Sequence, residues 1–296
     1  MNLKKRLLYS HNWNIGFIEQ TPDELLRNKS LKPVKWLKHP YRDRWFADPF
    51  ILKVTEDEIV VFVEECQIEN PKGILCELVV DRRTMRLKSR YVLLEKETHL
   101  SYPAIVRYEG KIYVYPENGA SGQLNMYEYD EVNHKLLKPI CILNESVADS
   151  SIFEQGGMYF LIATRSDNSQ EGAFLYGCKS LFGPYKKLID HPVQASRKMS
   201  RPAGNWIKSG LSLFRPAQDC ELRYGNAINI MRVESLFPFS EVVEFSLIPS
   251  YFVYNRGLHT INYYGNLCVI DGYGYLYPLV GNTYELGRAI KHIFTR

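Results

Sequence analysis

Short runs of alternating apolar and polar residues fill most of this 296-residue chain, and they come in groups of four. The first group reads Pro49 to Val54, Ile59 to Glu65, Ile74 to Asp81 and Tyr91 to Glu95. The second reads Ala104 to Tyr108, Lys111 to Pro116, Leu124 to Asp130 and Leu136 to Leu143. The third has Ser151 to Glu154, Met158 to Thr164, Gly172 to Lys179 and Lys186 to Val193, and the fourth runs from Ala203 through Phe214, Asn226 to Val233 and Glu241 to Leu247. A related segment precedes each group: Trp45-Phe46-Ala47-Asp48-Pro49, Ser101-Tyr102-Pro103, Ala148-Asp149-Ser150-Ser151, Ser200-Arg201-Pro202-Ala203-Gly204 and Leu258-His259-Thr260. Four strands per unit, repeating about every fifty residues, is the signature of propeller blades that must stack to bury their faces. The pattern predicts an all-β, five-bladed propeller of four-stranded antiparallel blades, one domain over 1–296, with blades starting near 45, 100, 147, 200 and 257.

The fifth group is incomplete. It offers Ile261 to Tyr264, Leu267 to Ile270 and Tyr273 to Leu279 but no fourth strand, so Trp13 to Ile18 is expected to supply it and close the ring. A short helix is predicted over Thr21 to Arg27, where Thr21 can cap and Pro22 suits the first turn, and another over Tyr284 to Phe294.

Composition narrows the function. Lys and Arg total 37 against 33 Asp and Glu, and no basic stripe with interleaved aromatics stands out, so nucleic acid is not an expected partner. The basic start meets polar residues after two leucines, without a secretory core, and no apolar run is long enough to span a membrane. Six widely spaced cysteines read as reduced thiols of a cytoplasmic protein. His and Cys spacing calls for no metal, and no motif calls for a cofactor. Oligomeric state stays open.

The candidate chemistry follows from strand geometry. If each marker begins the innermost strand, then Asp48, Tyr102, Asp149, Arg201 and His259 ring the channel mouth. The next strand returns to that mouth, adding Glu64 or Glu65, Glu117, Arg165, Arg215 and Asp271. Glycosidic-bond chemistry needs two carboxyl groups, one protonated and one ionised. Asp48 is the expected base, kept ionised near solvent by arginines, with Glu117 preferred over Glu65 as the acid and Asp149 tuning it. Trp45, Glu65, Tyr102, Arg165, Arg201, Arg215, Gln218, Asp219, His259 and Asp271 are the expected substrate contacts. For Arg215 and Asp219 an ion pair bracing the loop is an equally simple reading.

The motifs WFADPF (45–50), FVEE (62–65), LSYP (100–103), PE (116–117), RPAG (201–204), RPAQDC (215–220), YG (224–225) and LHTI (258–261) together resemble a known family. It is the N-terminal propeller-like domain of plant glucosamine inositolphosphorylceramide transferases and its stand-alone bacterial relatives. That domain in turn looks like the five-bladed propellers of glycoside hydrolase families 43 and 32, as does the segment Ser180-Leu181-Phe182-Gly183-Pro184-Tyr185. The resemblance implies an Asp base at Asp48 and a tuning Asp at Asp149, with no clear counterpart for the hydrolases' Glu acid. The plant enzymes carry glycosyl transfer on a separate C-terminal domain, and the expectation for a chain ending at Arg296 is that it does not carry that activity. The expectation is a propeller acting on a glycan or glycoconjugate in bacterial polysaccharide metabolism. A sugar-binding module and a phosphorylase using Arg165, Arg201, Arg215 and His259 are the alternatives.

Overall fold

A computed structural model describes residues 3–251 and 253–294. In chain order the strands are β1 (Asn12–Glu19) and β2 (Lys35–Trp36), then β3 (Arg44–Val54), β4 (Glu58–Gln67), β5 (Gly73–Asp81) and β6 (Leu87–Leu94). Next come β7 (Ser101–Tyr108), β8 (Lys111–Glu117), β9 (Leu124–Asp130) and β10 (Lys135–Leu143), followed by β11 (Val147–Gln155), β12 (Met158–Arg165), β13 (Ala173–Cys178) and β14 (Lys186–Lys187). The last are β15 (Ile207–Ser209), β16 (Ser212–Asp219), β17 (Ala227–Leu236) and β18 (Phe239–Leu247), then β19 (Ile261–Tyr264) and β20 (Leu267–Gly274). They form five antiparallel four-stranded sheets, the blades of a five-bladed propeller. Strands β3 to β18 make four blades in sequence order, and the fifth runs β19-β20-β1-β2.

The N-terminal strand closes the ring in the third place of this blade, not the fourth. β1 pairs with β20 along its whole length, from Asn12 opposite Gly274 to Glu19 opposite Leu267, and β2 takes the outer edge. The strand expected over Tyr273 to Leu279 does not form. β20 absorbs Tyr273 and Gly274, and Pro278 starts a helix, as suits a residue with no N–H to give a ladder.

Helices are few. α1 (Leu3–Leu7) precedes β1, α2 (Pro22–Asn28) lies between β1 and β2, and α3 (Pro278–Phe294) follows β20. Thr21 and Glu24 form a reciprocal capping box on α2, and its buried Leu25 joins the apolar core between the last two blades. α3 begins six residues before the start the sequence suggests.

Three of the five markers share a backbone distortion. The ladders between first and second strands slip at Ala47/Phe50, Ser101/Ala104 and Ala148/Ser151. The bulged residues Asp48, Tyr102 and Asp149 have φ of 50°, 47° and 45°. Asp tolerates this left-handed region better than most residues, whereas a bulky Tyr there is strained and is held by its surroundings. The bulge re-aims one side chain per blade toward the channel.

Gly204 marks a close approach of two blades. A Cβ there would stand 1.9 Å from the Ile261 carbonyl oxygen, and its φ is 141°. Gly204→Ala is expected to destabilise the fold by about 3 kcal/mol, since the obstacle is backbone and cannot swing aside. Chemical denaturation measures it, and a change below about 1 kcal/mol would mean the blades separate easily there.

Candidate active site at the channel mouth

The bulges and the ends of the second strands bring eight of the expected residues together: Asp48, Tyr102, Glu117, Asp149, Arg201, Gln218, His259 and Asp271. They form two linked groups. In the first, His259 Nδ1 lies 2.6 Å from Asp271 Oδ2, and His259 Nε2 lies 3.8 Å from Asp48 Oδ1. Asp271 also accepts from the backbone N–H groups of Asp48, His259 and Thr260 at 3.1, 2.9 and 3.0 Å. Thr260 Oγ1 donates to Asp48 Oδ1 at 2.7 Å, and the Tyr102 N–H donates to Asp48 Oδ2 at 3.1 Å.

In the second group Arg201 donates through Nε to Asp149 Oδ2 and stands 3.5 Å from Glu117 Oε2. Gln218 donates to the same Asp149 oxygen at 2.6 Å, and the Asp149 N–H donates to Glu117 Oε2 at 3.2 Å. The other Asp149 oxygen is buried without a partner among the described residues. Glu117 is the most open of these carboxyls, its side chain 18% exposed against 1% for Asp149.

Aromatic rings wall the mouth. Trp13 stacks on His259 with centroids 4.0 Å apart, and the Arg201 guanidinium sits 5.3 Å over the Tyr224 ring. Tyr224 is 39% exposed. Asp219 is half-buried and caps the loop carrying Tyr224 by accepting the Glu221 N–H at 2.9 Å. Trp45 lies at the rim, donating its indole N–H to Tyr9 Oη at 3.2 Å.

Three expected contacts lie elsewhere. Glu65 is buried in an ion-pair cluster with Arg44 and Arg90, and the channel-facing residue of that strand is its neighbour Glu64, which pairs with His99 at 3.1 Å. Arg165 points to solvent and pairs with Asp167. Arg215 is fully buried, held by Glu241 and by the Met199 and Ser200 carbonyls. The ladder explains all three. Glu64 stands opposite Ala47, Glu117 opposite Ser101 and Thr164 opposite Ala148, while the Gln218 N–H donates to the Arg201 carbonyl. Glu65, Arg165 and Arg215 are each an odd number of positions from their strand's inward residue and so face away.

The electrostatics also depart from expectation. Asp48 is 4% exposed with His259, not an arginine, as its cationic neighbour. Burial, opposed by His259 and reinforced by Asp149, Glu64 and Asp271, lifts its carboxyl to about 7. Burial and then Asp149 hold Glu117 well above the usual carboxylate range despite Arg201. Burial pushes the His259 imidazolium down, but Asp271 and Asp48 outweigh it and hold the ring at about 9. Asp48, His259 and Asp271 bring three ligand atoms within 4.8 Å of one another, the spacing a cation would need. Such a cation would have to displace the proton that makes His259 their ion-pair partner.

The raised values of Asp48 and His259 mean that the folded state binds these protons more tightly than the unfolded chain. The Asp48 contribution is full below its ordinary value of 3.8 and is lost as pH rises through about 7. That of His259 is full below 6.5 and is lost as pH rises through about 9. Melting temperature is therefore expected to fall between pH 6 and pH 9.5, and to fall less in His259→Gln. A melting temperature that climbs over that window would contradict this charge arrangement.

Known proteins share this fold. The catalytic domain of Coprinopsis cinerea GH62 α-L-arabinofuranosidase superposes with a TM-score of 0.57 at 11% identity, covering 87% of this chain and 85% of that one. A family 117 glycoside hydrolase from Zobellia galactanivorans gives 0.56 at 11% identity, covering 92% of each chain. A thermostable family-43 glycoside hydrolase gives 0.52 at 13% identity, covering 79% and 84%. At such identities the likeness is one of fold. In sequence, glucosamine inositolphosphorylceramide transferase 1 of Arabidopsis thaliana is 30% identical over 202 residues, 65% of this chain and 26% of that protein. Its Oryza sativa japonica counterpart is 26% identical over 204 residues, 66% and 27%. The chain thus spans about a quarter of the length of these curated relatives. The profile described as "Glucosamine inositolphosphorylceramide transferase 1, N-terminal" matches residues 30–251, three quarters of the sequence, and the chain belongs to that family.

Proposed function

We propose that the channel mouth is a carbohydrate site in which Glu117 gives a proton to a glycosidic oxygen and Asp48 serves as the base. The observation that carries this reading is the pair of carboxyls from adjacent blades, both held above the usual range. Glu117 is held toward its protonated form, and Asp48 exchanges its own proton near pH 7, which suits a general acid and a general base. Arg201 and Gln218 fix Asp149 beside Glu117, and Tyr224 offers a face for a sugar ring. The ligand is a glycan or glycoconjugate. The fold likeness to glycoside hydrolases and the relatives' names, which join glucosamine to a phosphoryl lipid, support that class. The reading includes a cytoplasmic setting in bacterial polysaccharide metabolism, supported by six cysteines that all stand as free thiols.

A second reading, sugar binding without turnover, is favoured by one observation: both Asp48 oxygens already accept hydrogen bonds from Thr260 and Tyr102. Phosphorolysis draws less support, because Arg165 and Arg215 lie outside the mouth and Arg201 and His259 are already ion-paired. Titration calorimetry with oligosaccharides tests the site itself. Tyr224→Ala is expected to weaken binding roughly tenfold or more, the scale of a lost aromatic platform. Equal affinity in wild type and Tyr224→Ala would remove the sugar from the mouth.

A further inference from the structure

The two terminal helices share one rim of the molecule. β1 begins at Asn12 opposite Gly274, the end of β20, and the Leu276 N–H donates to the Tyr9 carbonyl at 2.9 Å. α1 therefore enters and α3 leaves at the end of the last blade where Trp13, Asp271 and Tyr273 mark the channel mouth.

α3 (Pro278–Phe294) packs on Tyr275 through its first turns. A Cβ on Gly281 would stand 2.0 Å from the Tyr275 ring, and one turn later Glu285 accepts from Tyr275 Oη at 2.6 Å and Arg256 at 3.3 Å. Leu279 and Leu286, seven residues apart and so on one helix face, are 73% and 62% exposed, and Val280 and Tyr284 are also exposed. Leu3 of α1 is 73% exposed as well. A helix of a globular domain ordinarily turns its apolar residues to the core, whereas here Leu279, Val280, Tyr284 and Leu286 face outward. Exposed positive charge lies beside it in α1, at Lys5 and Arg6. Exposed Arg6 and Arg42 line a cleft of about 250 Å³ with Asp43, Gln67, Ile68 and Glu69, and Asp43 is itself paired with Arg44.

We infer that this rim docks on an anionic lipid bilayer, with α1 and α3 lying in the interface and the channel mouth beside it. Leucines reach the acyl boundary while arginines and lysines meet lipid phosphates, the division of labour of an interfacial helix. Among the described residues no helix is long and apolar enough to cross a membrane, so the contact is peripheral. A second copy of the chain fits less well, because two basic rims brought face to face would repel. The inference stands apart from the chemistry assigned to the mouth.

Vesicle co-sedimentation tests it, using phosphatidylcholine alone and phosphatidylcholine with one third phosphatidylglycerol. Wild type is expected to bind the anionic vesicles at least tenfold more tightly. The double variant Leu279→Glu/Leu286→Glu, shown to melt and elute as wild type does, is expected to lose at least tenfold of that affinity. Arg6→Glu/Arg42→Glu is expected to lose most of the preference for the anionic vesicles. No binding to anionic vesicles, or equal binding by wild type and the leucine variant, would overturn the inference. So would a wild-type dimer that the leucine variant turns into monomer, since the apolar face would then belong to a second copy.

Discussion

Glu117→Gln and Asp48→Asn are each expected to lower turnover by roughly 10²- to 10⁴-fold while sugar binding survives, the range associated with a lost general acid or base. Gln at 117 keeps an oxygen to accept the Asp149 N–H but has no acidic proton to deliver. Asn is the right replacement at 48, because φ there is 50° and Asn tolerates that region where Ala would add strain. The pH profile has a direction too. Activity should rise through about pH 7 as Asp48 loses its proton and should be lost where Glu117, held above the usual carboxylate range, gives up its own. Steady-state rates of the two variants across pH check both statements. Undiminished turnover in Glu117→Gln would pass the acid role to another group.

The second large effect is on stability and concerns Arg215. Its guanidinium is fully buried against Glu241, whose side chain is 1% exposed, and also donates to two backbone carbonyls. Arg215→Ala leaves Glu241 as an unpaired buried charge and is expected to cost about 3–5 kcal/mol. Arg215→Met combined with Glu241→Leu removes both charges and should recover most of that loss. Denaturant titration of the single and double variants decides it. A stable Arg215→Ala protein with weakened sugar binding would restore Arg215 to the substrate contacts.

The contrast between Arg215 and Gln218 shows what the sequence makes legible. The fifty-residue period, the strand alternation and the five marker segments point to the propeller and to the first ring of the mouth, because those features depend only on local pattern. The second ring depends on ladder register, which bulges change and residue counting does not see. Hence Glu117 and Asp271 fall where spacing puts them, whereas Glu65, Arg165 and Arg215 face away. Trp13 is missed as a site residue because its place over His259 exists only once β1 has closed the last blade. Thr260 and Tyr224 sit in or beside quoted motifs, yet a hydroxyl on Asp48 and a ring over Arg201 are tertiary contacts that no spacing reports. The raised Asp48 carboxyl is invisible for the same reason, since it follows from burial and from the acids that other blades bring near it.

The most direct test of the mouth as a catalytic carbohydrate site is product analysis of the protein incubated with a panel of oligosaccharides and glycoconjugates, with Asp48→Asn run in parallel. The expected result is cleavage or transfer on at least one substrate by wild type, and its loss in Asp48→Asn although that variant still binds the same substrate. Binding by both proteins with no new product from either would contradict the catalytic roles of Asp48 and Glu117 and leave a propeller that only recognises sugar.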